Sequence, residues 1–253
     1  MIEIANFILV FVRAGALLAV FPLFSASNVP IQLRLALGAL AALLIAPLLT
    51  PMSIASLSIW GVVKLIFIEA SVGLLLGFVC RIVFFAAEFA GGIASTEMGL
   101  MLSTTFNPAA GVVMGAPGML LYWLTLILFL TLDLHHWMLA AFQNSYVWVP
   151  IGGARLSEGL LQDIITRSGQ IFRIGVLIAA PIISVSFVIT IVFCTLGRAV
   201  PQMNVFNDSF SVRTLVGLGA FGMTCNLMAQ YIQNFLHRLP EDMLRVAQLL
   251  GGK

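Results

Sequence analysis

Apolar positions in this chain fall in long unbroken runs, with polar residues confined to short punctuation between them. A helix needs about 20 apolar residues to cross roughly 30 Å of hydrocarbon, because each adds 1.5 Å. Six runs approach or pass that length: Ile4–Phe24, Leu35–Leu49, Ile59–Phe89, Met119–Phe142, Ile171–Leu196 and Val212–Leu236. They predict an all-α integral membrane protein of about six long hydrophobic helices. The second run is short for a span. The third is too long for one straight crossing, so it tilts, breaks or extends beyond the bilayer.

Turn signals separate the runs. Ser25 to Pro30 divides the first two, and Thr50-Pro51-Met52-Ser53 the next pair. Residues 143–170 hold Pro150, Gly152, Gly153 and several charges, which predicts an exposed connection with room for one short amphipathic helix. Residues 197–211 read as a polar hairpin, and the tail from His237 is charged enough to lie in water or at a headgroup surface. Arg34, Arg198 and Arg213 place the N-terminus outside and the first and last connections in the cytoplasm. Arg155, Arg167, Arg238 and Arg245 point the other way, so orientation stays open.

Composition sharpens the class. Hydrophobic residues make up 61% of the chain and charged residues 9%, with a mean hydropathy of +1.10. Soluble domains carry roughly 25% charged residues, so this chain cannot clothe a surface in water. A net charge of +2 supplies no basic patch for nucleic acid. Cys80, Cys194 and Cys225 are widely separated in apolar runs and suggest neither a disulfide framework nor a cysteine metal site. Glu3 stands where a secretion signal would be basic, and no small-residue cleavage site closes the first run before Phe24. That run is expected to remain in the mature chain.

Polar residues inside the runs need an account. On a helical wheel Glu69, Gly73, Gly77, Arg81 and Glu88 share one face of the third run. Gly73 and Gly77 form a GxxxG pair that admits a neighbouring backbone. The face is either a helix-packing surface with paired charges or the wall of a conduit. Residues 91–118 carry six glycines and two prolines but one charge, Glu97. Irregular backbone of that polarity belongs where protein buries it or where it lines a cavity, which makes Phe106 to Gly115 a re-entrant or plugging loop, with a plain linker as the alternative. Asp133 and His136 lie one helical turn apart beside His135, as a structural polar cluster or a proton relay. A metal site would need more ligands than these, and no HExxH spacing is present. No GxSxG elbow and no phosphate-loop glycine order is present, so the sequence offers no catalytic residue, cofactor or metal and does not read as an enzyme.

Taken together, these residues resemble the FliR family, called SctT in injectisomes, the export-gate subunit of flagellar and type III secretion. The strongest match is Leu196-Gly197-Arg198-Ala199-Val200-Pro201-Gln202-Met203-Asn204-Val205-Phe206, similar to the family's PQ-x-NVF turn between the last two helices. Val29-Pro30 before Arg34, Asn107-Pro108 with Gly111, and Asp133-Leu134-His135-His136 support it. Asn207-Asp208-Ser209 departs from relatives that tend to be apolar there.

The resemblance implies a subunit that joins FliP/SctR-like and FliQ/SctS-like proteins in a gated conduit for unfolded exported proteins. The gate would sit in the bacterial inner membrane at the base of a flagellum or injectisome, with part of it above the bilayer plane. It implies a FliP-like part over residues 1–150 and, over 151–253, a connecting segment, a FliQ-like helical hairpin and a tail. Phe106, Asn107, Pro108, Gly111, Val112, Val113, Met114, Gly115, Pro117 and Gly118 would belong to a plug in the closed pore. Arg198, Pro201, Gln202, Asn204 and Phe206 would form the cytoplasmic hairpin turn, where an FlhB/SctU-like subunit wraps the gate. The competing expectation is a small-molecule or ion transporter, motivated by broken helices and intramembrane charges.

Overall fold

The computed structural model describes residues 4–25, 29–50, 58–101, 115–154, 157–200, 202 and 204–252, with the side chains of 25 and 205–207 left out. Among these residues all regular structure is helical. In chain order the helices are α1 (Ile4–Val20), α2 (Pro22–Ser25), α3 (Ile31–Ile45) running into a 3₁₀ turn (Ala46–Leu48), α4 (Ile59–Glu97) and α5 (Ala116–Thr131). They continue with α6 (Leu134–Trp148), α7 (Glu158–Ala199), α8 (Val205–Leu236) and α9 (Leu239–Leu250).

Among the described residues four segments are long and apolar enough to cross a membrane: Ile31–Leu48, Ile59–Glu97, Glu158–Ala199 and Asp208–Leu250. The pair α5 and α6 makes a fifth if counted as one broken span, bent by 70° across Leu132 and Asp133. The expected all-helical membrane architecture is therefore present, with different boundaries. The second span begins at Ile31 rather than Leu35, because Pro30 is a good residue to precede a first turn and nothing in Ile31-Gln32-Leu33-Arg34 breaks a helix. The first run ends at Val20, and Pro22 opens a separate short turn.

The largest difference lies in residues 143–170, expected as an exposed connection. Helix α6 runs on to Trp148 and α7 starts at Glu158, so that only residues 149–157 lie between them, with 155 and 156 outside the described residues. Leu160, Leu161, Ile164 and Ile165 give this stretch an amphipathic stripe without a breaker, and Glu158 favours a helix start through the dipole. Helices of 39 and 42 residues are about 60 Å long at 1.5 Å per residue, roughly twice the hydrocarbon thickness. Both must extend past the membrane or lie against protein.

The chain divides into two units. The first comprises Met1–Ile82, Phe129–Ser168 and His237–Lys253. Within it, α1 buries Asn6, Leu9, Val10, Arg13, Ala14, Leu17 and Leu18, the three-and-four spacing of one helical face. Helix α3 buries only Gly38 and Ala42, four residues apart, and a Cβ on Gly38 would stand 3.4 Å from the Phe11 ring. The first part of α4 crosses α1 at Gly73, against the Arg13 carbonyl, and at Gly77, where a Cβ would lie 2.9 Å from the Leu17 carbonyl. Only glycine permits that approach. Helix α9 buries Leu239, Met243, Val246, Ala247 and Leu250 on one stripe and packs on α6.

The second unit comprises Val83–Leu128 and Gly169–Leu236. Its helices meet through small residues: Gly91 on the Gly118 backbone, Gly115 on Ser95, Gly175 on Phe89 and the Ala86 carbonyl, and Gly217 on Met98. Aromatic pairs fill the spaces between, with Phe84 edge-on to Tyr122 at 5.8 Å and Phe89 edge-on to Phe172 at 5.2 Å.

Candidate functional site

Two anchors in the second unit flank the expected plug segment. On the α4 side, Ser95 Oγ donates to the Gly91 carbonyl at 2.7 Å and Thr96 Oγ1 to the Gly92 carbonyl at 2.9 Å. Each hydroxyl thus satisfies itself within the helix. The helix ends at Glu97, and Gly99 takes a left-handed φ of +74 beside the Phe210 ring. Leu100 N–H returns to the Ser95 carbonyl at 2.9 Å, and Thr214 Oγ1 donates to the Met98 carbonyl at 2.9 Å, pinning the turn to α8. The α5 side begins at Gly115, against Ser95 and with its virtual Cβ 3.5 Å from Met101 Sδ, and includes Pro117 and Gly118. Departure and return points of residues 102–114 therefore lie side by side. Phe106, Asn107, Pro108, Gly111, Val112, Val113 and Met114 lie outside the described residues.

Glu97 accepts a short hydrogen bond from Ser186 Oγ. Glu97 and Glu88 also border an open depression with Phe89, Gly92, Thr96 and Met101. Glu88 lies in the part of α4 that belongs to the second unit, and Glu69, Gly73, Gly77 and Arg81 in the part that belongs to the first. There Arg81 Nη1 approaches the Val20 carbonyl at 3.5 Å, so the face from Glu69 to Arg81 packs against α1.

Glu69 is the centre of a buried polar knot. Arg13 donates to it through Nε at 2.6 Å and Nη2 at 3.1 Å, the paired fork geometry that makes arginine–carboxylate contacts strong. Both side chains are fully buried. Arg13 Nη1 donates to Ser145 Oγ at 3.1 Å and Nη2 also to the Val149 carbonyl at 3.2 Å. The Tyr146 ring lies 3.9 Å from the guanidinium carbon, a cation–π contact. Gly152 N–H closes the knot on Glu69 Oε1 at 2.9 Å, and its φ of +72 explains the glycine. Helices α1, α4 and α6 and the turn after α6 are tied to one charge pair.

Arg13 was not singled out from the sequence, although a lone arginine amid seventeen residues of α1 was the available signal. A second missed group joins the start of α7 to α9. Arg167 Nε meets Asp163 at 2.5 Å, Arg167 Nη1 meets Asp242 at 2.9 Å, and Arg245 Nε lies 3.4 Å from Asp163.

The hairpin between α7 and α8 is a short connection over residues 200–204. Arg198 sits in the last turn of α7 and Asp208 in the first turn of α8, each complementing its helix dipole. Gln202 and Asn204 are exposed, and Asn204 gives its carbonyl to the Asp208 N–H at 3.0 Å. Pro201 lies outside the described residues, and Phe206 is placed by its backbone in α8. Asp133, His135 and His136 are brought together at the break before α6, within 4.8 Å of one another by their ligand atoms.

The architecture is that of an all-helical membrane protein held by buried polar knots and glycine contacts. Residues 4–239 match the family model described as bacterial export proteins, family 1, and the chain belongs to that family. It is similar to flagellar biosynthetic protein FliR of Pectobacterium carotovorum subsp. carotovorum, 29% identical over 91% of this chain and 88% of that one. FliR of Escherichia coli K12 is 27% identical over 90% and 87%. Yop proteins translocation protein T of Yersinia pestis matches at 27% over 58% of each chain.

Proposed function

We propose that this protein is a subunit of a type III export gate, flagellar or injectisome, and that residues 102–114 form its plug. Family membership over nearly the whole chain supports the export role. The observation that carries the plug is the pair of anchors at Ser95–Met101 and Gly115–Gly118, which return the intervening segment to its point of departure. Such a loop can enter a shared conduit without moving the helices that hold it. Its Val112, Val113 and Met114 exclude water and ions, and its glycine lets the backbone move at small strain.

On this reading the partners are FliP/SctR-like, FliQ/SctS-like and FlhB/SctU-like subunits, the cargo is unfolded protein, and the site of action is the bacterial inner membrane. Residues 1–150 act as the FliP-like part and 151–253 as the connection, FliQ-like hairpin and tail. The α7–α8 turn, with Arg198, Pro201, Gln202, Asn204 and Phe206, faces the cytoplasm. Helices about twice the membrane thickness suit a gate raised partly above the bilayer. The test deletes residues 112–114 in the assembled gate and measures ion leak across the membrane. Increased leak with retained co-purification of FliP- and FliQ-like subunits is expected. An intact assembly with unchanged leak overturns the plug.

A further inference from the structure

We propose that Asp133, His135 and His136 form a binding site for one divalent transition-metal ion of the zinc class, clipping the break between α5 and α6. The inference is independent of the export reading. Their ligand atoms all fall within 4.8 Å of one another, although the residues are three of only four in sequence. On a regular helix, adjacent side chains diverge by about 100°, yet the rings of His135 and His136 have centroids 4.1 Å apart. Both rings belong to the first turn of α6, directly after Asp133, which takes φ 54 and ψ 24, an uncommon conformation for a residue bearing a Cβ.

The polar atoms in the cluster lack the partners that would otherwise explain it. Asp133 stands at the N-cap of α6, where aspartate ordinarily accepts a backbone N–H, but its side chain makes no capping hydrogen bond. The carboxylate faces His136 instead, with Oδ1 and Nδ1 3.7 Å apart, beyond hydrogen-bond reach. His135 Nδ1 is buried and has no hydrogen-bond partner. That ring also borders an apolar cavity of about 260 Å³ with Leu18, Phe21, Leu130, Met138 and Phe142, a setting that penalises an unmatched polar atom.

A bound metal would give the Asp133 carboxylate and one nitrogen of each ring a partner, drawing together donors that lie within 4.8 Å of one another. Bonds of about 2.0–2.2 Å to nitrogen and oxygen place neighbouring donors roughly 3–4 Å apart, where Asp133 and His136 already stand. Two imidazoles and a carboxylate are a donor set of intermediate softness, suited to zinc, cobalt or ferrous iron and poorly suited to magnesium or calcium. Three protein ligands leave outward positions for water or a partner's side chain. Asp133 and His136 are largely exposed, so an ion can enter without unfolding the break.

The full chain, purified in detergent with a histidine-free tag, would be titrated with Co²⁺ and Zn²⁺. Expected are one saturable site per chain, visible cobalt ligand-field bands displaced by Zn²⁺, and a Zn²⁺-dependent rise in Tm. Asp133→Asn, which keeps a residue tolerant of left-handed backbone, and His136→Gln should each weaken binding about tenfold or more. A readout needing no variant is chemical modification of histidines followed by peptide mass spectrometry. Zn²⁺ should protect His135 and His136 and leave His237 reactive. Absence of one-to-one binding by the wild-type chain, failure of that protection, or unchanged affinity in folded Asp133→Asn and His136→Gln chains would overturn the site.

Discussion

The two units hold together by different means. Every buried charge among the described residues, Arg13, Glu69 and Arg167, lies in the first unit. The buried polar residues of the second are hydroxyls alone: Ser95, Thr125, Ser186 and Ser209. Ser95 and Thr125 spend theirs on the carbonyl four residues back, at 2.7 Å each. An ion pair with a fork geometry accepts one register between helices and resists sliding. The second unit joins its helices through close glycine contacts, with single hydrogen bonds such as Thr214 to the Met98 carbonyl and Ser186 to Glu97 beside them. The first unit is thus built as a fixed frame. The second, which carries the anchors of residues 102–114, has no buried charge among the described residues.

This contrast can be broken experimentally. The largest effect belongs to Glu69→Ala, which leaves Arg13 buried without its counter-charge and should cost about 3–5 kcal/mol in thermal unfolding of the detergent-solubilised chain. The double change Arg13→Met with Glu69→Leu should recover most of that, since hydrophobic replacement of a buried pair is often neutral. If the single change costs under about 1 kcal/mol, the knot is not what fixes the first unit.

A sign reversal tests the second unit. Gly91→Ala drives a methyl into the Gly118 backbone, whereas a Cβ on Gly92 meets nothing within 4 Å. The first should destabilise by about 1–3 kcal/mol, while Gly92→Ala should stabilise by up to about 1 kcal/mol through helix propensity. Equal effects at the two positions would contradict close packing at Gly91. The smallest expected change is Ser145→Ala, about 1 kcal/mol, because Arg13 keeps three of its four hydrogen bonds and the Tyr146 ring. A larger loss would mean that Ser145 governs the orientation of the guanidinium.

Much of this was legible beforehand, for reasons that differ by residue. Gly73 and Gly77 were recognisable because a four-residue glycine spacing has one common use in apolar helices. Glu69 was recognisable because a carboxylate in such a run demands a partner. The partner itself, Arg13, was not, since 56 positions separate them and no local pattern joins them. Residues 143–170 were read as exposed because their charges suggested water. In the folded chain those charges include Asp163 and Arg167, which pair with each other and with α9. Asp133, His135 and His136 lacked a familiar ligand spacing; in the folded chain they stand at the start of α6 with their ligand atoms within 4.8 Å of one another.

By itself the sequence determined that this protein lives in a membrane as helices, because 61% hydrophobic and 9% charged residues permit no other solvent. It also determined where backbones can touch, since glycine alone admits them. Only the tertiary structure decided which helix each glycine meets and which cation answers each buried acid. The physical reason is that a helix apolar on every side is as content against lipid as against protein. Its sequence therefore carries little record of which face packs, and that choice is made by shape and by a few polar atoms from distant parts of the chain.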